Sequence, residues 1–197
     1  MNRIALSIAC VGAIGCVVLA QPPGKQKLPA GHPGAADPRA TWPAPKAGDV
    51  STVDGIVAAM YAAPAGAPGE PRDWDRYRSL FLPDARLVAS RPGEGDAAVA
   101  MFLTIGDYVD ANKTYFEKGG FMDKEIARRT EQYGNIAHVW STYESRHKPD
   151  DPEPYVRGIN SIQLLKDGGR WWIVNVFWEY EKAELTIPDK YLSTPIE

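Results

Sequence analysis

The sequence has few of the residues on which covalent, redox and metal chemistry most often depend. Among 197 residues it has two cysteines and three histidines. Both cysteines, Cys10 and Cys16, lie in the first twenty residues, and the histidines at 32, 138 and 147 do not have the spacing of a metal-binding motif. The sequence also has no G-x-S-x-G, no phosphate-binding glycine loop and no dinucleotide fingerprint. We therefore expect neither a cofactor nor a metal.

An excess of one charge is also missing. Lys and Arg number 22 and Asp and Glu number 25, and the pI is about 5.7. This balance argues against nucleic acid as a partner, because a general nucleic-acid binder needs a basic surface. With 44% hydrophobic and 24% charged residues, the composition is that of one globular domain.

The N-terminus has the pattern of an export signal. Arg3 precedes an apolar run from Ile4 to Ala20, and this run has no basic stop-transfer flank. We interpret residues 1–20 as a signal peptide cleaved near Ala20, which predicts a secreted or periplasmic protein without a membrane span after cleavage. The alternatives are a retained N-terminal anchor and lipoprotein processing at Cys16.

A Pro-, Gly- and Ala-rich segment, residues 21–50, follows the signal and is predicted to be a flexible tether. Trp42 is its candidate for contact with the domain. Residues 51–182 form the predicted domain, and 183–197 a C-terminal tail.

Helical periodicity comes first in the predicted domain. Ser51 caps a helix over 51–62, and Asp73 caps a second helix that ends before Pro83. A short strand is predicted over 85–89, and a longer helix over 96–116.

After residue 120 the period changes from 3.6 to 2. Four strands are predicted, over 122–132, 136–146, 158–166 and 170–181. Helices followed by an antiparallel meander make an α+β fold, in which a curved sheet wraps around the helices.

Two segments carry a family resemblance. Residues 73–87 (DWDRYRSLFLPDARL) and 161–173 (SIQLLKDGGRWWI) resemble a helix-to-strand passage and a closing hairpin of the nuclear-transport-factor-2-like superfamily, which includes SnoaL-like polyketide cyclases and ketosteroid isomerases. Residues 134–146 and 158–164 resemble exported bacterial members of unassigned function. The resemblance implies a cone-shaped fold with three N-terminal helices in a curved, mostly antiparallel sheet, and a cavity between them. It does not fix an activity, since this fold hosts both enzymes and binding proteins.

The side chains facing that cavity are predicted from strand parity. A three-residue loop at 167–169 would turn Ser161, Gln163 and Asn175 inward together with Phe177, whereas a two-residue turn would place Asn160 and Ile162 there instead of Ser161 and Gln163. On the preceding strand, the better inward face is the one that includes Ser141 and Tyr143. The full predicted ligand-binding set is Tyr61, Trp74, Tyr108, Ser141, Ser161, Gln163, Trp171, Asn175 and Phe177.

The candidates for catalysis are Tyr143, Glu125 and His138. Tyr143, or else Tyr61, would polarise a carbonyl group, and Glu125 or His138 would move the proton. The alternative roles are an ion pair with an arginine such as Arg128 for Glu125, and a place on the outer sheet face for His138.

Three functions remain open at this point. The first is binding of a small, largely apolar molecule in the cavity, and the second is a cofactor-free isomerase or cyclase. Against the isomerase pattern, Asn175 occupies the position where a second carboxylic acid is expected. The third is protein interaction through an apolar outer sheet face, through which we also expect a homodimer.

Overall fold

The computed structural model describes residues 38–95 and 97–193, so the predicted signal peptide and both cysteines lie outside the described residues. The α-helices are α1 (Ala47–Val50), α2 (Val53–Ala62), α3 (Trp74–Ser79) and α4 (Ile105–Gly119). The strands are β1 (Phe81–Pro92), β2 (Ala98–Leu103), β3 (Met122–Tyr133), β4 (Ile136–Arg146), β5 (Val156–Asp167) and β6 (Arg170–Tyr180). Short 3-10 helices cover Pro38–Thr41 and Asp189–Tyr191. None of the helices in these two ranges is both long enough and apolar enough to span a membrane.

All six strands form one mixed sheet, in the order β2-β1-β6-β5-β4-β3. The β1–β6 pair is parallel and the other four pairs are antiparallel. Helix α2 packs on one face of this sheet, where Ile56 and Val57 meet apolar residues of the strands such as Val139, Ile162 and Ile173. The α+β class is therefore confirmed.

The region before α4 differs from the expected helix over 96–116. Residues 98–103 form β2, a strand that pairs with β1 from Leu87 opposite Leu103 to Pro92 opposite Ala98. The helix begins only at Ile105 because Thr104 and Asp107 form a capping box: the Thr104 hydroxyl accepts from the Asp107 amide at 3.1 Å, and the Asp107 carboxylate accepts from the Thr104 amide at 3.0 Å.

Strand β1 is longer than the predicted segment over 85–89. It begins at Phe81, inside the region predicted as helix, and it includes Pro83. Pro83 is tolerated because the β1–β6 ladder is interrupted between Phe81 and Arg86, where no amide hydrogen is required.

The meander follows the predicted strands to within two residues at each end. Its last turn is the two-residue alternative: Asp167 pairs with Arg170, and Gly168 and Gly169 both have positive φ, 62° and 82°. Glycine suits both positions because other residues are strained in this region.

The segments that flank the meander and helices contact the sheet and α3. The Trp42 indole donates to the Arg78 carbonyl at 2.7 Å, so the expected contact of Trp42 is confirmed. At the other end, the Thr142 hydroxyl donates to the Tyr191 carbonyl at 2.7 Å, and the Tyr191 ring lies 5.6 Å from Trp140. Residues 187–191 therefore cover part of the sheet face opposite α2.

The Gly168-Gly169 turn gives a test of the hairpin register. Gly169→Val should destabilise the protein by about 1–2 kcal/mol, because a β-branched residue at positive φ strains the backbone while the surrounding space is open. The free energy of unfolding from urea titration measures this. Asn135→Val, in the β3–β4 turn at a residue without positive φ, is the control and should cost less. Equal costs would contradict the assigned turn.

Candidate functional site

A cavity of about 480 Å³ lies between the sheet and the helices. Its walls are mostly aromatic and aliphatic, with few polar groups. The lining residues are Met60, Tyr61, Pro64, Tyr77, Leu87, Arg91, Met101, Leu103, Tyr108, Ala111, Asn112, Tyr115, Phe116, Phe121, Asp123, Tyr143, Ser145, Tyr155, Val156, Asn160, Val176, Trp178 and Tyr180.

The lining residues divide by exposure into an inner end and a mouth. We call the exposed members, Arg91, Met101, Ala111, Tyr115 and Tyr155, the mouth. Toward the inner end the walls are stacked rings, among them Phe116 and Phe121 with centroids 3.7 Å apart. The mouth therefore carries one charged side chain, Arg91, and the inner end is mostly aromatic and aliphatic.

Asp123 is the one carboxyl group among the cavity-lining residues that the structure describes. It lies opposite Ser145 in the β3–β4 ladder, and the Ser145 hydroxyl donates a hydrogen bond to its carboxylate. Burial raises the pKa of Asp123 to about 7, although the Ser145 hydrogen bond opposes the rise. At neutral pH the group therefore exists in both protonation states, as a general acid or base requires.

A bulge at Ile126 explains why Asp123 faces inward. The β3–β4 register shifts between Glu125 and Ala127, so that Ile126 has no partner on β4. Without this extra residue, Asp123 would lie opposite Arg146, whose position faces away from the cavity. The bulge turns Asp123 and Glu125 inward, on the same face as Arg128.

Glu125 is held in an ion pair, as the alternative interpretation of the sequence expected. The Arg128 guanidinium donates to Glu125 at 2.9 Å and also pairs with Asp54 of α2. The side chains of Glu125 and Arg128 are only 8% and 6% exposed, and Glu125 is not among the cavity-lining residues. The geometry gives Glu125 a structural place and no access to a ligand.

A directed chain of hydrogen bonds leads from the cavity to Glu125. The Asn160 amide donates to the Tyr61 hydroxyl at 2.9 Å, and the Tyr61 and Ser141 oxygens are 2.6 Å apart. Because Ser141 donates to the Glu125 carboxylate, the proton of Tyr61 must go to Ser141. Tyr61 has therefore no proton left for a ligand.

Tyr143 differs from Tyr61 in this respect. Its ring lies 6.2 Å from that of Tyr61, yet its hydroxyl makes no hydrogen bond with any residue in the described ranges. Burial, with a smaller effect of the Asp123 charge, raises the pKa of Tyr143 far above its usual value, so the hydroxyl stays protonated. Gly158 makes room for it, since a Cβ there would lie 2.8 Å from the Tyr143 oxygen.

The remaining predicted ligand-binding residues fall into four groups. Tyr108 lines the cavity, its ring 5.6 Å from Tyr77, while Ser141 supports Tyr61 from behind. Trp74 and Trp171 pack in the core without lining the cavity.

Ser161, Gln163, Asn175 and Phe177 lie on the opposite face of the sheet, which corrects the predicted parity. The two-residue turn places Asn160 and Ile162 inside, and a bulge at Val174 moves Asn175 and Phe177 to the opposite face. We call this opposite face the outer face.

His138 also lies on the outer face, and it does not reach the cavity. Its Nε2 is 3.0 Å from the Ser161 hydroxyl, and its ring lies 5.2 Å from Trp140. The catalytic role considered for His138 is therefore not compatible with a ligand in this cavity. In residues 38–95 and 97–193 no three His, Cys, Asp or Glu side chains form a group that could hold a metal.

The sequence-based prediction missed Asp123, Arg91 and Tyr180. Strand β3 is polar on both faces, so alternation did not single out Asp123, and β1 was predicted to end before Arg91. Asn160 was foreseen only through the alternative turn.

No protein-family model and no curated protein matches the sequence. Solved structures that it resembles include a protein of unknown function with a cystatin-like fold from Nostoc punctiforme, with 13% identity over 65% of this chain and 87% of that one and a TM-score of 0.49. Another is a nuclear-transport-factor-2-like protein of unknown function from Methylobacillus flagellatus, with 20% identity over 66% and 95% of the two chains and a TM-score of 0.42.

A third is a candidate dehydratase of the nuclear-transport-factor-2-like family from Streptomyces avermitilis, with 15% identity over 68% of this chain and 97% of that one and a TM-score of 0.49. These similarities assign neither a ligand nor a reaction to the chain.

The raised pKa of Asp123 predicts that Asp123→Asn stabilises the folded protein, and that this stabilisation depends on pH. Because the pKa is about 7 in the folded chain and near 3.8 when unfolded, folding takes up a proton between these values. The stability of the wild type therefore falls as pH rises through this window, and the variant escapes that loss. The free energy of unfolding of Asp123→Asn should be equal to or lower than that of wild type near pH 4. Above pH 7 it should be higher by a few kcal/mol.

Urea unfolding between pH 4 and 8.5 measures this difference. Asp150→Asn, at an exposed loop position, controls for the substitution itself. A difference between Asp123→Asn and wild type that stays constant over this range would mean that the pKa of Asp123 is not raised in the folded protein.

Proposed function

We propose that this chain is an exported small-molecule-binding protein whose cavity holds a largely apolar carbonyl compound, and that Asp123 and Tyr143 act on it as a cofactor-independent acid–base pair. The proposal rests on one observation. A carboxyl with a pKa of about 7 and a phenol with an unused proton line the same aromatic cavity.

The binding part is supported by the shape and lining of the cavity. Its volume of about 480 Å³ lies in the range of small-molecule sites, and its walls are rings and aliphatic groups with a few polar atoms. Asn160 can orient a ligand. One of its amide protons is donated to Tyr61, and its second amide proton and its carbonyl oxygen are left for the ligand.

The chemical part follows from the states of the two side chains. Tyr143 donates its hydroxyl proton as a hydrogen bond to the carbonyl oxygen, which stabilises the negative charge that develops there. The Asp123 carboxylate removes a proton from the carbon next to the carbonyl and returns it to the same or another carbon. This is the chemistry of an isomerase or cyclase of the ketosteroid-isomerase or polyketide-cyclase type.

Hydrogen–deuterium exchange into 2-tetralone tests the chemical part. This aromatic ketone has exchangeable protons beside its carbonyl, and proton NMR in D₂O follows their loss. The wild type should accelerate exchange over buffer, with a rate that rises with pH to a plateau above about 7 because the base is Asp123. Asp123→Asn should lower the rate by about 10²-fold or more, and Tyr143→Phe by about 10- to 100-fold.

The exchange experiment has two controls. Asp110→Asn, an exposed carboxylate on α4, should leave the rate unchanged. Tyr61→Phe should lower the rate less than Tyr143→Phe, because the Tyr61 proton is already bound by Ser141. If the wild type binds 2-tetralone without accelerating exchange of its protons, the chemical part of the proposal is wrong and only the binding part stands.

We also propose a homodimer through the outer face. Residues 187–191 cover only part of this face, so Phe177 and Trp140, in one row with Ser161, remain 44% and 37% exposed. Apolar rings in such a row favour contact with a second copy.

Sedimentation velocity across a concentration series tests the homodimer. The wild type should sediment as a dimer, and Phe177→Glu should shift it to the monomer by placing a charge in the interface. Tyr115→Glu, at an exposed position of α4 on the cavity side of the sheet, is the matched control and should remain a dimer. A wild type that is monomeric at all concentrations would contradict the proposal.

A further inference from the structure

We propose that the ligand carries an anionic group, which Arg91 binds at the mouth of the cavity. This inference rests on the proposed function and names the class of ligand that the same site would take.

Arg91 lies near the end of β1, lines the cavity and is exposed. Its guanidinium carbon lies 5.6 Å from the centroid of the Tyr180 ring, which also lines the cavity. Arg91 makes no ion pair or hydrogen bond with any residue in ranges 38–95 and 97–193. The ring positions the guanidinium, while all five of its donors remain available.

Other arginines of the sheet and helices form ion pairs with carboxylates. Arg76 is paired with Asp49 at 2.7 Å, Arg157 with Glu181 at 3.5 Å, and Arg128 with Glu125. Arg91 thus has no carboxylate partner in the part of the chain that the structure describes, and it stands at the entrance to an aromatic cavity.

Asp123 does not serve as the missing partner. It lies on β3, at the opposite end of the strand order from β1 and β2, so the two charged residues stand on different walls of the cavity. The other described lining residues are uncharged.

The arrangement also sets the orientation of such a ligand. An anion is costly to bury in the aromatic inner end, whereas at the mouth it keeps part of its hydration and gains paired hydrogen bonds from the guanidinium. The apolar body of the ligand then extends inward, toward Tyr143 and Asp123. Repulsion from an ionised Asp123 disfavours the reverse orientation.

Two fluorescent probes of similar shape separate charge recognition from apolar binding. 8-Anilinonaphthalene-1-sulfonate has a sulfonate group, and N-phenyl-1-naphthylamine lacks it. Fluorescence titration of the full chain should show Arg91→Gln weakening the sulfonate probe about tenfold or more, with the neutral probe changed less than twofold. Arg91→Lys should restore part of the loss.

Two further variants serve as controls. Arg86→Gln, on the same strand and bound only to nearby carbonyls, should change neither probe. Ala111→Trp, at an exposed position of α4 that lines the mouth, should weaken both probes if they occupy the cavity.

Each other outcome overturns a distinct statement. If both probes bind in the cavity and Arg91→Gln weakens them equally or not at all, the anion inference is wrong and the proposed function stands. If neither probe binds, or if Ala111→Trp weakens neither, the cavity is not a binding site and the proposed function falls together with the inference.

Discussion

The set of side chains that face the cavity depends on two single-residue bulges in the sheet, at Ile126 in β3 and at Val174 in β6. Strand side chains alternate between faces, so one extra residue reverses the faces of the side chains on one side of the bulge relative to those on the other side. The first bulge brings Asp123 to the cavity and Glu125 to the same side. The second allows Val176 and Trp178 to line the cavity while Phe177 faces outward.

Once both carboxyl groups of β3 face inward, their partners decide what each one does. Glu125 has Arg128 and the Ser141 hydroxyl, and an ion pair this well surrounded is costly to break. Asp123 has the Ser145 hydroxyl alone, which does not offset the loss of water around its charge. Two carboxyls two residues apart on one strand thus differ in environment: Glu125 forms an ion pair that supports the fold, and Asp123 has a pKa raised to about 7.

Periodicity and turn residues were sufficient to predict the strands of the meander from the sequence. The four strands of the meander follow from the change of period to 2 and from the turn residues between them. The small residues on one face of β4 indicate its inward side, which includes Ser141 and Tyr143. A bulge interrupts the two-residue alternation and has no sequence period of its own, so alternation does not predict it. Counting back from the Tyr133–Ile136 pair places Asp123 on the outer face, and only the three-dimensional register shows otherwise. The helix predicted from residue 96 begins only at Ile105, because the capping box of Thr104 and Asp107 sets its start.

The hydrogen-bond directions also decide between two tyrosines that the sequence left equal. Since Ser141 must donate to Glu125, Tyr61 must donate to Ser141. The Ser141 hydroxyl therefore links the Tyr61 hydroxyl to the buried ion pair, and this link fixes the Tyr61 ring. That ring stands beside Tyr143, whose own proton remains available. The polar network is thus a rigid support behind the cavity. Among the described residues, it leaves three groups for the proposed ligand: the Tyr143 hydroxyl, the Asp123 carboxyl and the Arg91 guanidinium.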